Sequence, residues 1–91
     1  MNKYHQPIEA ETDLHQMTRD EARKEVLDFL EEAEGFGYKK IRIITGKGMH
    51  SKNGVGILND YVKEILDGKG LKYSAAKYDE GGEGAIDVFL K

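Results

Sequence analysis

An α/β fold, more narrowly an α+β two-layer sandwich of order β-α-β-α-β-β, is what this sequence predicts, on three observations. Apolar residues recur at helical spacing in two stretches, Ala22-Val26-Phe29-Leu30-Ala33 and Leu58-Tyr61-Val62-Ile65-Leu66. Short β-branched or alternating runs lie before, between and after them. Glycines punctuate nearly every junction. Two right-handed β-α-β crossovers make the first three strands parallel and put both helices on one face of a four-stranded mixed sheet. The last connection is a short loop, so the fourth strand runs antiparallel.

Residues 1–7 are polar and read as a flexible N-terminal arm, in which His5 is given no role. The domain proper is 8–91. Its first strand runs from Ile8 to about His15, with Ile8, Ala10, Thr12 and Leu14 on one face and Glu9, Glu11, Asp13 and His15 on the other. Thr18-Arg19-Asp20-Glu21 then reads as a capping box that opens the first helix, with Met17 as a staple onto Ala22. Gly35 and Gly37 stop it. Lys40–Thr45 is the clearest strand, and its adjacent Ile43 and Ile44 suggest a central place covered on both faces. A polar loop leads to a second helix from about Val55 to Asp67, closed by Gly68 and Gly70. Leu71–Tyr78 and Ala85–Leu90 are the last two strands, separated by the glycine-rich segment 79–84.

Ninety-one residues make one domain with a modest core, burying about 60–65% of the unfolded surface. The absence of cysteine excludes a disulfide framework, a thiolate zinc site and a thiol nucleophile. No apolar run approaches ~18 residues and no signal pattern opens the chain, so the expectation is a cytoplasmic protein without a membrane partner. The net charge of −3 argues against a generally basic nucleic-acid coat. Yet residues 39–52 carry Lys39, Lys40, Arg42, Lys47 and Lys52 and no acid, a local basic patch that suits phosphate. Ordinary solvated charge is the competing account of the same residues.

The predicted topology brings three segments to one sheet edge, where open α/β sheets place ligands. His15 ends the first strand, Thr45-Gly46-Lys47-Gly48 ends the second, and Gly81-Gly82-Glu83-Gly84 precedes the fourth. Asp13 and His15, about 7 Å apart by strand rise, would form a carboxylate–imidazole pair in which Asp13 orients His15 as a base or phosphate ligand. The glycines of 46–48 let backbone N–H groups approach an anion, and Lys47 adds charge. This is not a Walker loop, because no Gly-Lys-Ser/Thr follows at the required spacing. Each feature also has a plain account: a solvated strand pair, a turn needing positive φ, a hairpin loop. Tyr73 and Tyr78 could stack on bases, though strand tyrosines commonly just pack.

Taken together, these segments resemble the Smr (small MutS-related) domain family. Its Leu-Asp-x-His-Gly motif reads Thr12-Asp13-Leu14-His15-Gln16 here, with Thr12 in place of Leu and Gln16 in place of Gly. Its His/Thr-Gly-x-Gly motif is matched by Thr45-Gly46-Lys47-Gly48, and its glycine-rich segment by Gly81-Gly82-Glu83-Gly84-Ala85. The resemblance spans about Ile8 to Leu90. It implies a fold similar to the C-terminal domain of translation initiation factor 3. It also implies DNA or RNA as partner, a place as the tail of a larger protein, settings such as DNA repair or recombination, and, for some members, metal-stimulated nicking with Mg²⁺ or Mn²⁺. By carry-over, Asp13 and His15 are the catalytic candidates. Arg42, Thr45, Gly46, Lys47, Gly48, Lys52, Gly81, Gly82 and Gly84 are the nucleic-acid or phosphate-binding candidates. Metal ligands and oligomeric state stay open. Three functions remain: an endonuclease, a binding module for branched DNA or structured or ribosomal RNA, and a protein-interaction module using the acidic first helix.

Overall fold

A computed structural model describes residues 7–46, 55–76 and 84–90. The elements are β1 (Ala10–Asp13), α1 (Arg19–Phe36), β2 (Lys40–Ile44), α2 (Val55–Gly68), β3 (Lys72–Ala75) and β4 (Ala85–Phe89), in the expected β-α-β-α-β-β order. The sheet order is β1-β2-β4-β3. β1 and β2 are parallel, while β4 runs antiparallel to both β2 and β3. β4 therefore inserts between the two strands that α2 connects.

The alternation of each strand sorts its residues onto two faces. Ile41, Ile43, Ile86 and Val88 face the helices and are buried against Val26, Phe29, Leu30, Val62 and Leu66. Leu14, just past β1, joins the same core. Arg42, Asp87 and Glu11 share the other face, adjacent in register. There, Arg42 Nε and Nη2 donate to Asp87 Oδ1 and Oδ2 at 2.7 and 3.2 Å. Asp87 is a buried acid, because it sits on a central strand beside this guanidinium.

α1 begins where its sequence signals a start. The Thr18 hydroxyl accepts from the Glu21 N–H, and the Glu21 carboxylate accepts from the Thr18 N–H. Met17, the residue expected as a staple, is partly buried against the core cluster that includes Ala22. The helix runs through Gly35 and ends on Gly37, whose φ of 75° is a left-handed C-cap. Arg19 stacks over the Tyr61 ring at 4.6 Å and joins α1 to α2. The strands are shorter than their sequence patterns. β1 stops at Asp13 rather than His15, and β3 at Ala75, although Ala76 N–H still donates to the Ala85 carbonyl. Among the described residues, no helix is long and apolar enough to cross a membrane. Of the expected arm, residues 1–6 lie outside the described residues and Pro7 is exposed.

Candidate functional site

β1 and β2 are parallel, so their carboxyl ends meet at one edge, and β4 starts at that same edge. Leu14 N–H donates to the Ile44 carbonyl at 2.7 Å, carrying β1 pairing one residue beyond the strand. The chain then turns. The Leu14 carbonyl accepts from Met17 N–H at 3.0 Å, and Gln16 has φ of 71°. With positive φ at the second central residue and not at His15, this is the pattern of a type II turn. Gln16 stands where the family motif has glycine, and the backbone supplies the reason for that glycine: this position is left-handed.

The turn brings His15 back onto Asp13. Asp13 Oδ1 accepts from the His15 backbone N–H at 3.0 Å and lies 2.6 Å from His15 Nδ1. Strand geometry would have held the two residues side by side; the turn instead closes them into a hydrogen-bonded pair. The backbone hydrogen bond from His15, then the side-chain one, hold the Asp13 carboxyl below its ordinary value of 3.8. An ionised carboxylate only accepts, so the shared proton belongs to Nδ1, which in a neutral imidazole leaves the lone pair on Nε2. Both side chains are about half exposed, His15 at 57% and Asp13 at 49%, so a large substrate has access to them.

The second segment presses on the first. Gly46 has φ of 86°, and a Cβ placed on it would lie 3.1 Å from His15 Cβ. Only glycine lets the chain leaving β2 pass this close to His15. Thr45 and Gly46 both donate their N–H to the Gly84 carbonyl, at 2.8 and 3.1 Å, which is the two-against-one arrangement of a bulge. The Thr45 hydroxyl also donates to that carbonyl, at 3.3 Å, and accepts from Asn59 Nδ2 at 3.2 Å. Segments 14–16, 45–46 and Gly84 thus form one connected edge, as the topology predicts.

The remaining candidates divide. Arg42, Thr45 and the Gly46 N–H are turned to internal partners, namely Asp87, Gly84 with Asn59, and Gly84 respectively. Lys47, Gly48, Lys52, Gly81 and Gly82 lie outside the described residues. Asn59 is a member of this candidate edge that motif reading misses. Its signal is present: Asn59, Val62 and Leu66 fall at i, i+3 and i+7, so a polar side chain sits on the buried stripe of α2 and needs a partner. Among the described residues, no group of three or more His, Cys, Asp or Glu is placed to hold a metal ion. Asp13 and His15 are two donors already bonded to each other, which falls short of a dedicated Mg²⁺ or Mn²⁺ site.

The family model described as the Smr domain matches residues 12–91. The chain is 35% identical over 92 residues to an Endonuclease MutS2 of Finegoldia magna, covering 99% of this chain and 11% of that protein. Among solved structures, the Smr domain of Thermus thermophilus MutS2 superposes with a TM-score of 0.78 at 33% identity, covering 90% of this chain and 98% of that one. YdaL, a stand-alone small MutS-related protein from Escherichia coli, gives 0.83 at 32% identity, covering 93% and 66%. The chain thus spans about a tenth of the MutS2 relatives' length.

Proposed function

This chain belongs to the Smr domain family, and from that premise we propose that it binds DNA or RNA at the β1–β2–β4 edge and cleaves a phosphodiester bond there. The observation that carries the proposal is the 2.6 Å contact between Asp13 Oδ1 and His15 Nδ1 in an exposed setting. Asp13 fixes the tautomer, so Nε2 is free to take a proton from the attacking oxygen. That oxygen is a sugar hydroxyl in RNA or water in DNA. It forms the new bond to phosphorus as the bond to the leaving oxygen breaks, and the leaving oxygen takes up a proton. Asp13 stays ionised and stabilises the imidazolium that forms. Lys47, next in sequence to the glycine that packs on His15, supplies positive charge for the phosphate. Mg²⁺ or Mn²⁺, if either takes part, needs donors beyond Asp13 and His15, and no step is derived through an ion.

The test is nicking of supercoiled plasmid and cleavage of structured RNA by the purified domain, with Mg²⁺, Mn²⁺ or chelator. His15→Ala and Asp13→Asn should each lower cleavage by roughly 10²–10⁴-fold while leaving binding in place. Activity equal to wild type in both variants identifies a contaminant and sinks the nuclease claim. Binding that survives in both but weakens in Lys47→Ala, with no cleavage by any form, leaves a binding module for branched DNA or structured RNA.

A further inference from the structure

Two of the described cations are neutralised by carboxylates within the fold. Lys24 pairs with Asp28 at 2.9 Å, and Arg42 with Asp87 at 2.7 Å. Arg19 differs. It is exposed, it is the first residue of α1, and its guanidinium lies 4.6 Å over the centre of the Tyr61 ring. Among the described residues, no carboxylate pairs with Arg19 or with Arg23, which is also exposed and lies one turn further along the same helix face. The nearest acids in sequence do not neutralise it. Glu21 is bonded to the Thr18 N–H in the capping box, and Asp20, at i+1, points to a different side of the helix.

We infer that Arg19, held over the Tyr61 ring and followed one turn later by Arg23, is a second phosphate-contacting point for the nucleic-acid strand bound at the Asp13–His15 edge. This inference rests on the nucleic-acid reading and extends its footprint from the sheet edge onto the helix layer. Three physical features support it. The contact with the ring holds the guanidinium in place, while its N–H groups, paired with no carboxylate among the described residues, stay available to a phosphate. The side-chain entropy that a free arginine would lose on binding is largely lost already in the folded protein. Placement adds the third. Arg19 follows His15 by four residues, at most roughly 14 Å along the chain, so one strand crossing the Asp13–His15 edge can reach both.

The experiment is fluorescence anisotropy with a fluorescein-labelled single-stranded oligonucleotide and its duplex, across a salt series, using the full chain. Arg19→Ala should weaken binding several-fold at low salt and lower the slope of log K against log salt by about 0.7–0.9, the signature of one lost phosphate contact. Tyr61→Leu should weaken binding roughly two- to threefold with the slope kept, because the charge remains and only its stacking is lost. Arg19→Lys, which keeps the charge and spares the fold should the alanine variant unfold, should also retain the slope. A slope in Arg19→Ala equal to wild type, while Lys47→Ala lowers it, overturns this inference and leaves the nucleic-acid site standing. Wild type that binds neither probe at any salt overturns both.

Discussion

Gln16 holds a left-handed backbone angle that glycine would adopt without cost. A Cβ in that region is unfavourable by roughly 1–2 kcal/mol, part of which glycine gives back through its freer unfolded chain. Gln16→Gly is therefore expected to raise stability by up to about 1 kcal/mol, read as a higher urea midpoint at unchanged slope. A lower midpoint would mean that Gln16 does not occupy this turn in solution. Asp13 gives a pH signature. Its folded pKa is depressed, so its contribution to stability is complete above the unfolded value and is lost as pH falls through the lower folded one. Urea midpoints of wild type should fall more steeply than those of Asp13→Asn between about pH 5 and about pH 2. The difference will be small, since the pair is half exposed and solvent screens it. Parallel curves would show that the His15–Asp13 bonds contribute nothing to the fold. Asp13 and His15 were legible from the sequence as a pair. Their direct contact was not, because it depends on a turn that breaks the strand alternation one residue early.

At the scale of elements, α1 is the best-signalled piece of the chain. Its cap and its apolar stripe at Ala22, Val26, Phe29, Leu30 and Ala33 agree with one another, and the structure realises both, with Met17 packed against the same core. The cap also follows directly on the 14–17 turn, so it anchors the segment that carries His15. Thr18→Ala should cost about 1 kcal/mol of stability by chemical denaturation, and Thr18→Ser should recover most of it. An alanine variant as stable as wild type would show that the box is not formed. β1 faces the same helix: Thr12 Oγ1 donates to Glu25 Oε2 at 2.7 Å. Thr12 replaces the motif's leucine, and the polar pair with Glu25 is what stands in this chain between β1 and α1. Asn59 shows the opposite case, a polar residue on an apolar stripe whose partner, Thr45, could be named only once α2 was packed over the end of β2.

For the whole molecule, the deciding feature is where β4 goes. The sequence shows a strand rich in apolar residues with one acid in it, and the sheet places that strand at its centre, between β2 and β3. The register then sets Asp87 opposite Arg42, and the pair is nearly covered, with side-chain exposures of 12% and 7%. Removing one partner of such a pair strands a buried charge. Arg42→Met should cost about 3–5 kcal/mol in a thermal or urea melt, whereas Arg42→Met with Asp87→Leu should recover most of that loss. A double variant as unstable as the single one would show that the cost comes from packing around Arg42 rather than from the uncompensated carboxylate.

The element order, the two amphipathic helices, the α1 cap and the identity of the Asp-x-His and Thr-Gly-x-Gly segments follow from the sequence by itself, because each depends on residues within a few positions of one another. The strand order, the Arg42–Asp87 pair, the passage of Gly46 against His15 and the stack of Arg19 on Tyr61 were decided by the tertiary structure. Each joins residues some 30 to 45 positions apart, and only the twist and register of the sheet and the crossing of the helices bring them within a few ångströms.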